Sequence, residues 1–222
     1  MKSEQKKNAG RSECGNAMIY ILIALALFGA LTVVLGRMNA QSDGANLDDE
    51  MAELRSMELI TYISSAQKVT DEMMMTGTDV GSIDTVIPTG ASYNTAPHYN
   101  KLFHPQGGGL LYQPDFAEDI RTDAAAGWYV QSNTNVEWTL STADDLIISA
   151  LHIAAGVCTS LNAKLGISTV PVLDNTLAHF FDPDGANADL MATNCANCDG
   201  FIALCVEDST GEFGYYTILQ SM

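Results

Sequence analysis

At 222 residues the chain has room for one membrane helix and one globular domain of about 150 residues. Asp and Glu number 27 against 10 Lys and Arg, and the net charge of −17 argues against nucleic acid or anionic lipid head groups as partners. No G-x-S-x-G, H-E-x-x-H or phosphate-loop pattern occurs, so the sequence points away from an enzyme.

Residues 1–15, MKSEQKKNAGRSECG, form a basic leader containing Lys2, Lys6, Lys7 and Arg11. The leader holds only Glu4 and Glu13 of the acidic residues, so the remainder carries six basic against twenty-five acidic side chains. Residues 17–35, AMIYILIALALFGALTVVL, are uncharged. A helix over 16–36, rising about 1.5 Å per residue, spans a hydrocarbon core of roughly 30 Å. The basic flank predicts a cytoplasmic N-terminus and a single pass through the inner membrane, with the rest periplasmic or extracellular. A removed secretory signal is the competing reading. Its apolar region usually has about 7–15 residues, and Gly36-Arg37-Met38 fits its cleavage site poorly, whereas Ala24, Ala26, Gly29 and Ala30 supply small residues within the run.

Residues 37–76 read as an amphipathic extension. A polar stretch with Gly44 precedes Asn46, a good N-cap, with Asp48, Asp49 and Glu50 in the first turn. Leu47, Met51, Leu54, Leu59, Ile63, Ala66, Val69 and Met73 recur at helical spacing and predict the buried stripe, flanked by Tyr62, and Gly77 ends the helix. Residues 77–222 then form an exported globular head. Its first part, 78–126, is loop-rich, with Pro88, Pro97, Pro105, Pro114 and the triplet Gly107-Gly108-Gly109. Strands are predicted at Asp84–Ile87 and Leu110–Gln113, and at Trp128–Gln131 and Val136–Leu140 as a hairpin about Ser132–Asn135. Another strand follows at Leu146–Ile153, then a short helix at Val157–Leu165 stopped by Gly166. Phe201–Val206 and Tyr215–Leu219 make a last hairpin about Asp208–Glu212. The layout is α+β: a long N-terminal helix and an antiparallel sheet.

Cys14 lies in the leader, and Cys158, Cys195, Cys198 and Cys205 lie in the exported part. An even set on the oxidising side reads as two disulfides with three possible pairings. The two-residue gap favours Cys195–Cys198, leaving Cys158–Cys205; zinc and redox chemistry at the Cys-x-x-Cys are the alternatives. The run Asp182-Pro183-Asp184-Gly185-Ala186-Asn187-Ala188-Asp189 alternates oxygen donors on a turn. It makes Asp182, Asp184, Asn187 and Asp189 candidate calcium ligands without EF-hand spacing; a solvated acidic turn is the plainer reading. No other cofactor is implied. His98, His104, His152 and His179 are scattered and read as surface or hydrogen-bonded histidines. Tyr93, Phe103, Tyr112, Trp128, Tyr129 and the other aromatics read as core or cross-strand packing rather than a ligand groove.

The basic leader ending in Gly15, the apolar helix, the amphipathic extension and the late cysteines together resemble a type IV pilin or pseudopilin over about residues 1–76. The resemblance implies cleavage by a leader peptidase between Gly15 and Asn16. It also implies a filament and membrane core built from Ile19, Tyr20, Ile23, Leu27 and Leu31, with other pilin-like subunits and the membrane as partners. The expected fold is a long N-terminal helix, half membrane-spanning and half amphipathic, packed on a small pilin-like antiparallel sheet. Some pseudopilins are similar in holding calcium in a late loop. Tyr20 stands where the family usually has Glu and Asn16 where it has Phe, which fits a minor pilin or pseudopilin better than a major subunit. The rival is a single-span anchored extracytoplasmic binding module that does not polymerise.

Overall fold

In the computed structural model the described residues are 49–114, 120, 122, 127–182 and 187–222. The leader, the apolar run and the site residues Gly15, Asn16, Ile19, Tyr20, Ile23, Leu27 and Leu31 lie outside them.

Four antiparallel strands form one sheet: β1 (Gly127–Thr134), β2 (Asp145–Ile153), β3 (Ala203–Glu207) and β4 (Phe213–Gln220), in spatial order β1-β2-β4-β3. β2 is central and nearly all apolar because both faces of the sheet are covered. Leu146, Ile148 and Ala150 enter one core, and Ile147 and Leu151 enter a second core on the opposite face. The first core is closed by α1, a helix over 49–75, and by α2 (Ala155–Lys164). The second is closed by α3 (Leu177–Phe181) and the Cys195–Cys198 turn. Gln131 Nε2 and the Thr134 hydroxyl both donate to the Phe180 carbonyl, at 2.8 and 2.9 Å, and tie α3 to β1.

α1 buries Leu59, Tyr62, Ile63, Ala66 and Met73. The Tyr62 ring lies 4.6 Å from Trp128, and its hydroxyl donates to the Leu111 carbonyl at 3.0 Å. Burial pushes that phenol up to about 12. The helix ends in a Schellman turn: Thr78 N–H donates to Met73 O at 3.0 Å and Gly77 N–H to Met74 O at 2.9 Å, with Gly77 at φ +97°.

This architecture corrects the expected fold. Among the described residues there is no long apolar helix, and none is long and apolar enough to cross a membrane. α1 is polar along one side, and the other helical segments are short: α2, α3 and a 3-10 turn at Val80–Ser82. The sheet is antiparallel and four-stranded, and two separate apolar clusters cover its two faces.

Local expectations shift for related reasons. Met51 and Leu54, predicted for the buried stripe, are 46% and 59% exposed, while Ser56 and Thr70 are buried instead. Ser56 faces α2, its hydroxyl 3.0 Å from that of Ser160, and small residues such as Ala52 and Gly156 let the helices approach. Of the predicted strand Asp84–Ile87 only a bridge from Asp84 to Lys101 forms, and Leu110–Gln113 pairs with nothing as a strand. The first hairpin turns later than predicted: β1 runs through Thr134, and its partner is β2 rather than Val136–Leu140. Val136 is held by the Asp145 carboxylate, which accepts its N–H at 2.9 Å.

Candidate functional site

The outward side of α1 is mainly polar, but near its start it carries exposed apolar residues. At about 100° per residue, Leu54 and Met57 lie across the helix from Leu59 and Ile63, and Met51 lies at the edge of the buried stripe, about 20° from Tyr62. All three are exposed, by 46%, 59% and 49%. They occupy the first turns of the described helix, and the uncharged run 17–35 precedes them in sequence. Three unbranched or γ-branched apolar side chains on one exposed strip form a surface suited to packing against another helix.

Cys158, Cys195, Cys198 and Cys205 form two bonds, Cys158–Cys205 and Cys195–Cys198, and all four are buried. Cys158–Cys205 joins α2 to β3, the edge strand. Asn162, one turn further along α2, completes the same seam. Its side chain accepts the Cys205 N–H and donates to the Cys205 carbonyl, both at 2.8 Å. Glu207 is closed by backbone bonds to Pro171 and Leu173, both 2.8 Å. The outer edge of β3 is thereby paired to side chain and loop rather than left to another chain.

The acidic turn is only partly described, since Asp184 lies outside the described residues. Asn187 is engaged within the fold: its Oδ1 accepts the Asp182 N–H at 3.1 Å, and its Nδ2 donates to the Asp182 carbonyl at 2.9 Å and to Asn133 Oδ1 at 3.0 Å. Asp189 Oδ1 accepts the Asn135 N–H at 3.3 Å. These side chains pin the turn to the end of β1. Among the described residues no group of three or more His, Cys, Asp or Glu is placed to hold a metal ion.

Two features were not legible in the sequence. His152 adopts φ +56° inside β2, where the register to β4 shifts. A bulge there turns the ring toward Glu212, with Nδ1 and Oε2 3.5 Å apart. The Thr122 hydroxyl is within hydrogen-bond distance of Glu212 Oε2 (2.9 Å) and the His152 carbonyl (3.0 Å). The hydroxyl thus meets the carboxylate rather than the imidazole, so the group is a clip between β2 and the β3–β4 turn. The second feature is a groove of about 400 Å³ beside β1, lined by Phe103, Tyr112, Trp128 and Tyr129 with Val86 and Ile87. No family model matches this chain, and neither a curated protein nor a solved structure does.

Proposed function

We propose that this chain is a structural, non-enzymatic subunit of a cell-envelope filament of the type IV pilus or type II secretion class, in the role of a minor pilin or pseudopilin. Residues 16–36 hold it in the inner membrane after a leader peptidase cuts between Gly15 and Asn16, and the same residues pack with other subunits once it is assembled. The observation that carries this reading is the exposed strip of Met51, Leu54 and Met57, which follows the apolar run in sequence. Burying the exposed half of each of these side chains against a neighbouring subunit contributes about 1 kcal/mol, and they lie off the domain's own core. The sealed edge of β3 fits the same role, because it closes one of the two sheet edges to strand pairing.

The test is incorporation of two variants into the filament fraction. Leu25→Asp and Leu54→Asp are each expected to abolish incorporation, with Leu54→Asp leaving the thermal midpoint of the head unchanged. Wild-type incorporation of Leu54→Asp contradicts the assembly surface. The aromatic groove beside β1 favours a second reading, an anchored binding module that stays monomeric. Under it Leu25→Asp weakens anchoring only, and wild-type protein gives no cross-links between copies.

A further inference from the structure

Residues 90–110 wind around one buried cation. Lys101 is 2% exposed, and its Nζ donates to the carbonyls of Ser92, Tyr93 (2.9 Å) and Thr95. Its own carbonyl accepts the Gly108 N–H at 2.9 Å and the His104 N–H at 3.3 Å. A Cβ at Gly107 would stand 2.4 Å from the carbonyl oxygens of both His98 and Lys101, so a glycine is needed for the chain to close there.

Two imidazoles sit on this knot. The rings of His98 and His104 stack with centroids 4.2 Å apart and planes 8° apart, and Tyr93 lies 5.0 Å from His104. His104 Nδ1 accepts the Gln106 N–H at 3.1 Å, which only an unprotonated nitrogen does. His98 Nδ1 is enclosed with no hydrogen-bond partner. Among the described residues the charged and titratable neighbours are Lys101, Tyr93 and Tyr99 of the same segment, Asp84 and Glu72. The Asp84 carboxylate is turned onto the Val86 N–H at 2.9 Å. Glu72 of α1 lines the cleft that also holds Gln106. Among the described residues no ion pair reaches His98, His104 or Lys101.

We propose that the His98–His104 stack is an acid-sensitive clasp that holds residues 92–106 closed while both rings are neutral and releases them when acid charges the pair. The first proton must sit near a buried ammonium, and the second must face the first imidazolium across the stack. Opening to water relieves both. Burial first, then His98 and Lys101, hold the His104 imidazole below its ordinary range. A folded value below the unfolded one means that the clasp's stabilisation is complete above about pH 6.5 and is lost as pH falls through the folded value. Leu102, Phe103 and Leu110, on and beside this segment, enter the core with α1, so release exposes apolar surface next to that helix.

Amide hydrogen exchange on the full chain in detergent micelles tests this, at about pH 7.5 and about pH 5, each corrected for intrinsic exchange. Residues 92–106 are expected to lose protection at the acid pH relative to β2 and β4, and the double variant His98→Gln, His104→Gln is expected to show no such difference. Equal protection of the wild-type segment at both pH values overturns the proposal. Should the double variant fail to fold, the wild-type imidazole NMR titration decides. The His104 ring is expected to charge below its ordinary range, whereas titration of His104 at the ordinary value overturns it.

Discussion

Asn162 is buried on α2, and both functional atoms of its side-chain amide are spent on the backbone of Cys205. Asn162→Leu leaves a buried N–H and a buried carbonyl unpaired. The expected loss is about 2–4 kcal/mol, read as a lower denaturant midpoint with unchanged slope. Asp208 is a second such residue. Burial alone would raise its carboxyl, but bonds from the Thr210 hydroxyl (2.6 Å) and the N–H groups of Leu177, Thr210 and Glu212 outweigh it and hold it below the usual carboxylate range. Its stabilisation is therefore full above about pH 4 and lost as pH falls through the lower folded value. Asp145 works in the other direction, since burial outweighs its bonds from Val136 and Thr139 and raises it. Asp208→Asn is expected to lower the thermal midpoint at neutral pH and to flatten its fall in acid. An unchanged acid profile would show that the carboxylate is not what the β3–β4 turn depends on. The sequence marks Asp208–Glu212 as a turn, but not that the carboxylate also meets the first N–H of α3, because that partner is 31 positions away.

At the scale of elements, the readable parts are those whose period is fixed by one neighbour. Leu146–Ile153 is legible as a strand because it is an apolar run interrupted only by Ser149 and His152, and burial on both faces is what such a run requires. The end of α1 is legible because Gly77 takes the left-handed conformation that closes a helix. The start of the stripe is misread because Met51 and Leu54 satisfy helical spacing as well as Ser56 does. What decides between them is α2, whose Gly156 and Ser160 receive small residues only. The winding of residues 90–110 is hidden for a similar reason: a lone Lys101 in a loop-rich stretch reads as a surface side chain, and only the closed loop shows its carbonyl partners. The two disulfides differ in reach. Cys158–Cys205 closes a separation of 47 residues, which on chain entropy is worth about 4 kcal/mol. Cys195–Cys198 closes a separation of 3 and is worth about half that. Replacing Cys158 and Cys205 together by Ser is expected to shift the unfolding midpoint well beyond the shift from replacing Cys195 and Cys198. Equal shifts would mean that the bond between α2 and β3 adds little to the Asn162 seam.

For the whole molecule, the charge, the apolar run and the exposed strip on α1 bear on one proposal. A chain with six basic against twenty-five acidic residues beyond its leader repels copies of itself at low ionic strength, so side-by-side association needs an apolar surface that outweighs the repulsion. Residues 17–35 and the strip at Met51, Leu54 and Met57 are such surfaces. The residues expected at the leader cleavage and in the filament core lie outside the described structure, and the proposal is tested most directly there. The mature N-terminus of protein recovered from its own envelope, read by terminal sequencing and intact mass, is the measurement to make. A start at Asn16 is the predicted result. A start at Met1, or at any residue beyond Ala24, contradicts leader-peptidase processing and with it the filament role.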